Sequence, residues 1–146
     1  TEMGAGVIQP VITQYTQVSR LKADKLEANI IEAAEQCEVL SVPTLAAETG
    51  LTELIADWRH RQGLRRLVFC DESAPSHSPA QTLADLEGLP VGILVGPEGG
   101  FSDAERNLLL AQDFAVAISL GPRILRADTA AVAALAVVQA TIGDWR

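Results

Sequence analysis

The strongest constraint on the fold of this chain comes from two continuous apolar runs, one within residues 66–71 (RLVFCD) and one at residues 91–95 (VGILV). Runs of this length without polar alternation are typical of strands in the middle of a parallel sheet that is covered on both faces. Segments with apolar residues at helical spacing occur at residues 22–37, 52–58, 102–110 and 129–142. Strands that alternate with helices predict an α/β fold with a mostly parallel sheet.

Two further apolar segments, at residues 6–13 (GVIQPVIT) and 115–120 (AVAISL), are short enough to be strands. Pro10 implies a bend or an edge position in the first of them. Residues 73–79 (SAPSHSP) have the composition of a loop. Ser102 precedes Glu105 by three residues, which predicts a helix that starts with a capping box.

The composition limits the classes of function. The chain has 146 residues, 48% of them hydrophobic, which is enough for the core of a single domain over residues 1–146. Its formal net charge is −8, so it lacks the long-range positive field that draws proteins onto nucleic acid. If this domain acts on RNA, we expect another domain to help bind it.

Metal and membrane functions lack support. The cysteines (Cys37, Cys70) and histidines (His60, His77) show no metal-ligand spacing, and helical spacing places Cys37 on a buried helix face. The longest apolar stretch is too short for a span of about 20 residues, and no signal or lipidation motif is present. We expect a cytoplasmic protein without metal or membrane contact.

The predicted helix at residues 129–142 is apolar nearly all round. Such a helix needs cover on every side, which a domain of this size can hardly provide from its other elements. We therefore expect a homodimer.

Two glycine-containing turns are candidates for a ligand site: residues 95–101 (VGPEGGF) and residues 120–129 (LGPRILRADT). Each follows an apolar strand, and ligands of open α/β sheets bind beyond the carboxyl ends of the strands. Neither turn has the pattern of a phosphate loop or a dinucleotide fingerprint. Their glycines allow the main chain to approach a ligand closely, and an adenine can be recognised in this way. Alternatively, GPEGG is only a tight connection between a strand and a helix.

Four segments of the sequence resemble the RsmE-type methyltransferases of the SPOUT superfamily. They are GPEGGFSDAE at residues 96–105, SLGPRILRADTA at 119–130, EAAEQC at 32–37 and TEMGAGVIQPV at 1–11. The family pattern has Gly-Arg where Glu38 and Val39 stand, and Glu-Thr-Ala where this chain has Asp128, Thr129 and Ala130.

The resemblance implies an α/β knot, in which the C-terminal segment threads a loop to form a trefoil, and a homodimer that binds S-adenosylmethionine in the knot. It implies methyl transfer to N3 of a uridine in small-subunit (16S) ribosomal RNA. Family members carry an N-terminal PUA-like RNA-binding domain, which we expect to be absent from this chain.

The resemblance also implies the cofactor-binding residues, most of them contributing main-chain contacts. They are Leu94, Val95, Gly96, Pro97, Glu98, Gly99, Gly100, Ser119, Leu120, Gly121, Ile124, Leu125, Arg126, Thr129 and Ala130.

Methylation at N3 requires that the N3 proton leaves and that the resulting anionic imide is stabilised. Arg126 is the candidate cation, and Glu98 is the second candidate catalytic residue, although it could simply bind backbone amides. We interpret Asp128 as a helix cap, since it stands just before a predicted helix.

Arg123, Arg20 and Lys22 are candidate RNA phosphate contacts. Two alternative functions stay open: a noncatalytic module that binds an adenosyl ligand or a protein partner, and a SPOUT methyltransferase that acts on tRNA.

Overall fold

The structure is a computed structural model, which describes residues 1–17, 21–75 and 78–146. In chain order its elements are β1 (Val7–Ile8), β2 (Val11–Ile12), α1 (Ala23–Gln36), β3 (Thr44–Leu45), β4 (Thr49–Gly50), α2 (Leu51–Gln62), β5 (Arg66–Cys70), α3 (Pro79–Ala84), β6 (Val91–Leu94), α4 (Asp103–Leu110), β7 (Ala115–Ile118) and α5 (Ala127–Thr141).

A three-stranded parallel sheet with the order β6-β5-β7 forms the centre of the domain. Its middle strand, β5, is the apolar run at residues 66–71, and Leu67, Val68 and Phe69 are almost completely buried. The alternation of strands and helices thus produces the predicted α/β fold with parallel strands. None of the helices in the described ranges combines the length and apolar character needed to cross a membrane.

Helices cover both faces of this sheet. Because side chains alternate along a strand, Leu67 and Phe69 lie on one face of the sheet and Val68 lies on the other. Leu67 and Phe69 pack with Leu51 of α2 and Leu109 of α4. Val68 belongs to a second cluster with residues of α3 and α5, namely Leu83 and Val138. This double cover is what a continuous apolar strand requires.

The N-terminal apolar segment at residues 6–13 forms two short strands instead of one. β1 pairs with β3 and β2 pairs with β4, both in parallel. Pro10 lies between β1 and β2 and has no N–H to donate, although its carbonyl accepts a hydrogen bond from Thr49 N at 3.2 Å. The bend expected at Pro10 therefore divides the strand.

Helix α3 was not predicted, and its first residue is the last one of the loop predicted at residues 73–79. It has only six residues, starts with Pro79 and buries Leu83 completely. So short a segment has too few turns to show a helical period, and its burial against α5 stabilises it instead.

The predicted capping box at the start of α4 is confirmed. The Ser102 hydroxyl accepts a hydrogen bond from Glu105 N at 3.3 Å, and Glu105 Oε2 accepts one from Ser102 N at 2.9 Å. Glu105 Oε1 also accepts a hydrogen bond from Gln14 N at 2.7 Å. The cap therefore also ties the N-terminal segment to the first turn of α4.

Two local interpretations are wrong. Asp128 is not a helix cap, because α5 begins at Ala127 and Arg126 is its N-cap; Asp128 Oδ1 accepts a hydrogen bond from Thr129 N at 2.9 Å within the first turn. Cys37 is not buried, because α1 ends at Gln36 and the thiol of Cys37 turns outward to Glu2.

Glu38, which follows the C-cap of α1, has a backbone conformation that favours glycine. Its φ is +54°, and no other non-glycine residue in the described ranges has a positive φ. Helices commonly end with a glycine in this left-handed region. The positive φ at this position explains why the family pattern has glycine there. Glu38 carries backbone strain that glycine would avoid.

We predict that Glu38→Gly raises the free energy of unfolding by about 0.5–1 kcal/mol, because the strain removed exceeds the entropy that glycine adds to the unfolded chain. The measurement is urea unfolding followed by circular dichroism. Glu27→Gly, at an exposed position inside α1, is the matched control and lowers the stability by about 1 kcal/mol. Equal destabilisation by both substitutions would contradict this account.

Candidate functional site

The loops that follow β5, β6 and β7 surround one cleft at the carboxyl ends of the parallel strands. Its volume is about 210 Å³, which is room for many ligand atoms and not only for a bound water. The lining residues are Cys70, Asp71, Glu72, Ser73, Val95, Gly96, Pro97, Glu98, Gly100, Phe101, Asp103, Arg106, Leu120, Gly121, Arg123, Ile124, Leu125, Ala127 and Ala130. The two predicted glycine turns thus lie on the same cleft.

The first turn follows β6 and is closed by a hydrogen bond from Gly100 N to the carbonyl of Pro97 at 2.8 Å. Gly100 has a φ of +67°, which a residue with a side chain rarely adopts. At Gly96 a Cβ would stand 3.3 Å from the backbone of Gly100 and from the ring of Phe101. Glycine therefore favours this tight turn at both positions, through the backbone angle at Gly100 and the close packing at Gly96.

Gly99 does not line the cleft. A Cβ at this position would stand 3.2 Å from the Cβ of Tyr15, so the missing side chain makes room for Tyr15. The glycine at this position serves the packing of the N-terminal segment against the turn.

The second turn follows β7, and Gly121 adopts a φ of +106° there. Gly121 N donates a hydrogen bond to the hydroxyl of Ser119 at 3.3 Å, and Ser119 is buried below the turn. Leu120 and Leu125 contribute apolar surface to the cleft, and Ile124 is 83% exposed at its edge. This wall combines accessible main chain with apolar side chains.

Ten of the residues predicted to bind a cofactor line the cleft: Val95, Gly96, Pro97, Glu98, Gly100, Leu120, Gly121, Ile124, Leu125 and Ala130. The others do not: Leu94, Gly99, Ser119, Arg126 and Thr129. Leu94 is part of the core beside the sheet, and Thr129 is exposed in the first turn of α5.

Arg126, the candidate catalytic cation, follows the lining residue Leu125 directly. Its side chain is 81% exposed, and Nε lies 3.6 Å from Asp128 Oδ1. An exposed side chain with one weak ion pair is free to turn towards a ligand at the mouth of the cleft.

The loop after β5 is the part of the site that sequence reasoning missed. Asp71 in this loop accepts a hydrogen bond from Arg106 Nε at 2.9 Å, and the Asp71 side chain is only 6% exposed. A second acid, Glu72, follows directly. Two acidic residues at the end of an apolar strand were the available signal, since the loop of the central strand must lie between those of its neighbours.

The cleft carries more negative than positive groups. Its carboxylates are those of Asp71, Glu72, Glu98 and Asp103, and its guanidinium groups are those of Arg106 and Arg123. One of these guanidinium groups is held by Asp71. The carboxylates that remain outnumber the one remaining guanidinium group of the cleft, which favours a ligand with positive charge.

Burial raises the pKa of the Cys70 thiol to about 11. At neutral pH this thiol stays protonated, and a protonated thiol is a poor nucleophile. Cys70 therefore contributes a polarizable wall to the cleft and not a covalent attack. No group of three or more His, Cys, Asp or Glu side chains in residues 1–17, 21–75 and 78–146 is arranged to hold a metal ion.

The residues predicted to contact RNA are separated. Arg123 lines the cleft, whereas Lys22 is the exposed N-cap residue of α1. Arg20 lies outside the described residues.

Comparison with known proteins gives concordant results. The model of a family described as an RNA methyltransferase domain matches residues 1–139. The ribosomal RNA small subunit methyltransferase E of Rickettsia conorii is 34% identical over 139 residues, which are 95% of this chain and 55% of that protein. The protein of the same name from Treponema pallidum is 43% identical over 154 residues, with 100% of this chain and 56% of that protein covered. The chain thus spans about half the length of the curated relatives it matches.

Solved structures agree with the sequence relatives. The ribosomal RNA small subunit methyltransferase E of Neisseria gonorrhoeae, bound to S-adenosyl methionine, superposes with a TM-score of 0.79 and 28% identity, covering 99% of this chain and 59% of that one. A Legionella pneumophila protein in complex with the cofactor SAM superposes with a TM-score of 0.76 and 34% identity, covering 95% of this chain and 57% of that one.

Proposed function

Because the chain belongs to the RNA methyltransferase domain family, we propose that it transfers a methyl group from S-adenosylmethionine to N3 of a uridine in small-subunit (16S) ribosomal RNA. The observation that carries this proposal is the convergence of two glycine turns on one cleft at the carboxyl ends of the central strands. Relatives named for small-subunit rRNA methylation, and similar structures with S-adenosylmethionine bound, support it.

The residues of the cleft fit this cofactor. Accessible main chain at Gly96, Gly100 and Gly121 suits the edge of an adenine, and Leu120 and Leu125 offer apolar surface to its faces. The surplus of carboxylates suits a cation. Leu94, Gly99 and Ser119 would act indirectly by supporting the two turns. Ala130 would close the pocket from α5, and the exposed Thr129 beside it would act from outside the cleft.

S-adenosylmethionine supplies a methyl group on a positively charged sulfur. The protein must hold the uridine N3 in line with that methyl group and exclude water. Arg126, at the start of α5, would stabilise the negative charge that develops on the uridine oxygens when N3 loses its proton. Glu98 lines the cleft as a carboxylate that can accept a proton or bind a cationic ligand.

The domain is poorly suited to hold RNA by itself. Its net charge is −8, and Arg123 is the one predicted RNA-contacting residue that lies on the described cleft. We propose that an N-terminal PUA-like domain outside residues 1–146 provides most of the RNA affinity, with Arg123, Arg20 and Lys22 as auxiliary contacts. Because the proposed substrate is the small ribosomal subunit, we also propose that the chain acts in the cytoplasm.

Incubation of the chain, in excess, with unmodified small ribosomal subunits and S-adenosylmethionine tests this function. Mass spectrometry of the digested RNA is expected to find N3-methyluridine. Arg126→Ala should lower the rate about 100-fold, as expected for the loss of one donor to a developing anion. Arg146→Ala removes an exposed guanidinium that pairs with Glu87 away from the cleft, and is expected to leave the rate unchanged.

Two other outcomes correspond to the alternative functions. Methylation of tRNA in place of ribosomal RNA would identify a tRNA methyltransferase. Absence of methyl transfer to either RNA when the chain is joined to the proposed PUA-like domain, with intact binding of an adenosyl ligand, would identify a noncatalytic binding module.

We also propose that the chain forms a homodimer through α5. Its own chain buries only Ala130, Ala134 and Val138 of this largely apolar helix, and Val132 is 50% exposed. Burial of the remaining apolar surface against a second copy would stabilise the helix.

Val132→Glu is expected to convert the dimer to monomers, because the interface would have to bury an unpaired carboxylate. Sedimentation velocity gives the molecular mass. The control is Leu64→Glu, since Leu64 is 74% exposed beside the start of β5, at the end of the sheet opposite the cleft, and this variant should remain dimeric. A monomeric parent chain, or a dimer that Val132→Glu leaves intact, would contradict the proposal.

We further propose that the C-terminal segment forms the trefoil knot of the SPOUT superfamily. The strand order supports this, because the chain must pass from β6 to β7 across the central strand β5. The segments after β5 and after β7 both line the cleft, so they meet where threading would occur.

A further inference from the structure

The loop after β5 is pinned by an ion pair between Asp71, which is buried, and Arg106, which is partly buried. Asp71 accepts hydrogen bonds from Arg106 Nε at 2.9 Å and from Ser73 N at 3.0 Å. The other end of the Arg106 guanidinium reaches the Ser73 carbonyl at 3.5 Å. Arg106 belongs to α4, so these contacts fasten the loop of the central strand to a helix on one face of the sheet.

Glu72 lies between the two pinned residues and lines the cleft. Its Oε1 is 3.9 Å from the position that a Cβ on Gly100 would occupy, so the carboxylate stands beside the first glycine turn. Within the described residues, no ion pair involves Glu72. Arg106 already compensates Asp71, so among the residues that the structure describes no cation neutralises the exposed carboxylate that Glu72 presents to the cleft.

We propose that Glu72 binds the cationic centre of the methyl donor, and that the Asp71–Arg106 pair positions it for this contact. The proposal rests on the proposed function and names a specificity-determining residue that the two glycine turns do not supply. The methyl donor carries a sulfonium charge that is lost when the methyl group leaves. A carboxylate near this charge therefore favours the donor over the demethylated product, so the donor competes better for the cleft.

Calorimetric titration of the 146-residue chain with three ligands tests the inference. S-adenosylmethionine carries the sulfonium, sinefungin carries an amine near the same place, and S-adenosylhomocysteine carries neither charge. We expect the parent chain to bind the two cationic ligands about tenfold more tightly than S-adenosylhomocysteine. Glu72→Gln should remove this preference and change the affinity for S-adenosylhomocysteine less than about twofold. Glu48→Gln, at an exposed position outside the cleft, should keep it.

The positioning role of the ion pair has its own test. Arg106→Ala should reduce the preference for cationic ligands as Glu72→Gln does. The variant with both substitutions should lose no more of this preference than either single variant loses. Arg106→Lys, which keeps a positive charge beside Asp71, should restore part of the preference. If Arg106 contributed only to the stability of the fold, Arg106→Ala would lower the affinity for all three ligands equally.

The outcomes separate this inference from the proposed function. If the parent chain binds S-adenosylhomocysteine but Glu72→Gln leaves the preference for the cationic ligands unchanged, the role of Glu72 is overturned and the function stands. An equal loss of affinity for all three ligands in Glu72→Gln also overturns the role of Glu72. If the parent chain binds none of them, both the proposed function and this inference are wrong.

Discussion

The fold and the site both depend on one constraint, which is that the apolar strand β5 must be covered on both faces and paired on both edges. Leu67 and Phe69 pack on one face and Val68 on the other, and β6 and β7 provide the edges. Because all three strands are parallel, the loops that follow them emerge at the same end of the sheet. The cleft is therefore a geometric consequence of burying this strand.

The rigidity of the cleft comes from its backbone. Gly100 and Gly121 both adopt positive φ values, and the turn at Gly100 is closed on Pro97. The loop of β5 obtains its rigidity in another way, through the ion pair between buried Asp71 and partly buried Arg106. Main-chain turns are suited to recognise an adenine, which has hydrogen-bonding edges and no charge, whereas a carboxylate is suited to a cation. The cleft offers both kinds of contact to one ligand.

Much of this arrangement could be predicted from the sequence, because the relevant signals are local. The apolar runs predicted β5 and β6, and the spacing of Ser102 and Glu105 predicted the start of α4 with its capping box. The turns at residues 95–101 and 120–129 were identified because glycine and proline follow the ends of strands there. Each of these signals reflects a backbone requirement that few other residues satisfy.

The features that could not be predicted depend on contacts between distant parts of the chain. Asp71 and Arg106 are 35 residues apart, so no local pattern indicates their ion pair. The role of Gly99 became visible only from the position of Tyr15. The orientation of Cys37 depends on where α1 ends, and helix ends are poorly determined by periodicity.

The most direct test of the central claim is a crystal structure of this chain with S-adenosylhomocysteine bound. We expect electron density for the adenine between the main chain of residues 96–100 and that of residues 120–125, with the sulfur directed towards the open side of the cleft. Density at another surface, or a bound state in which the two turns lie apart with no ligand between them, would contradict it.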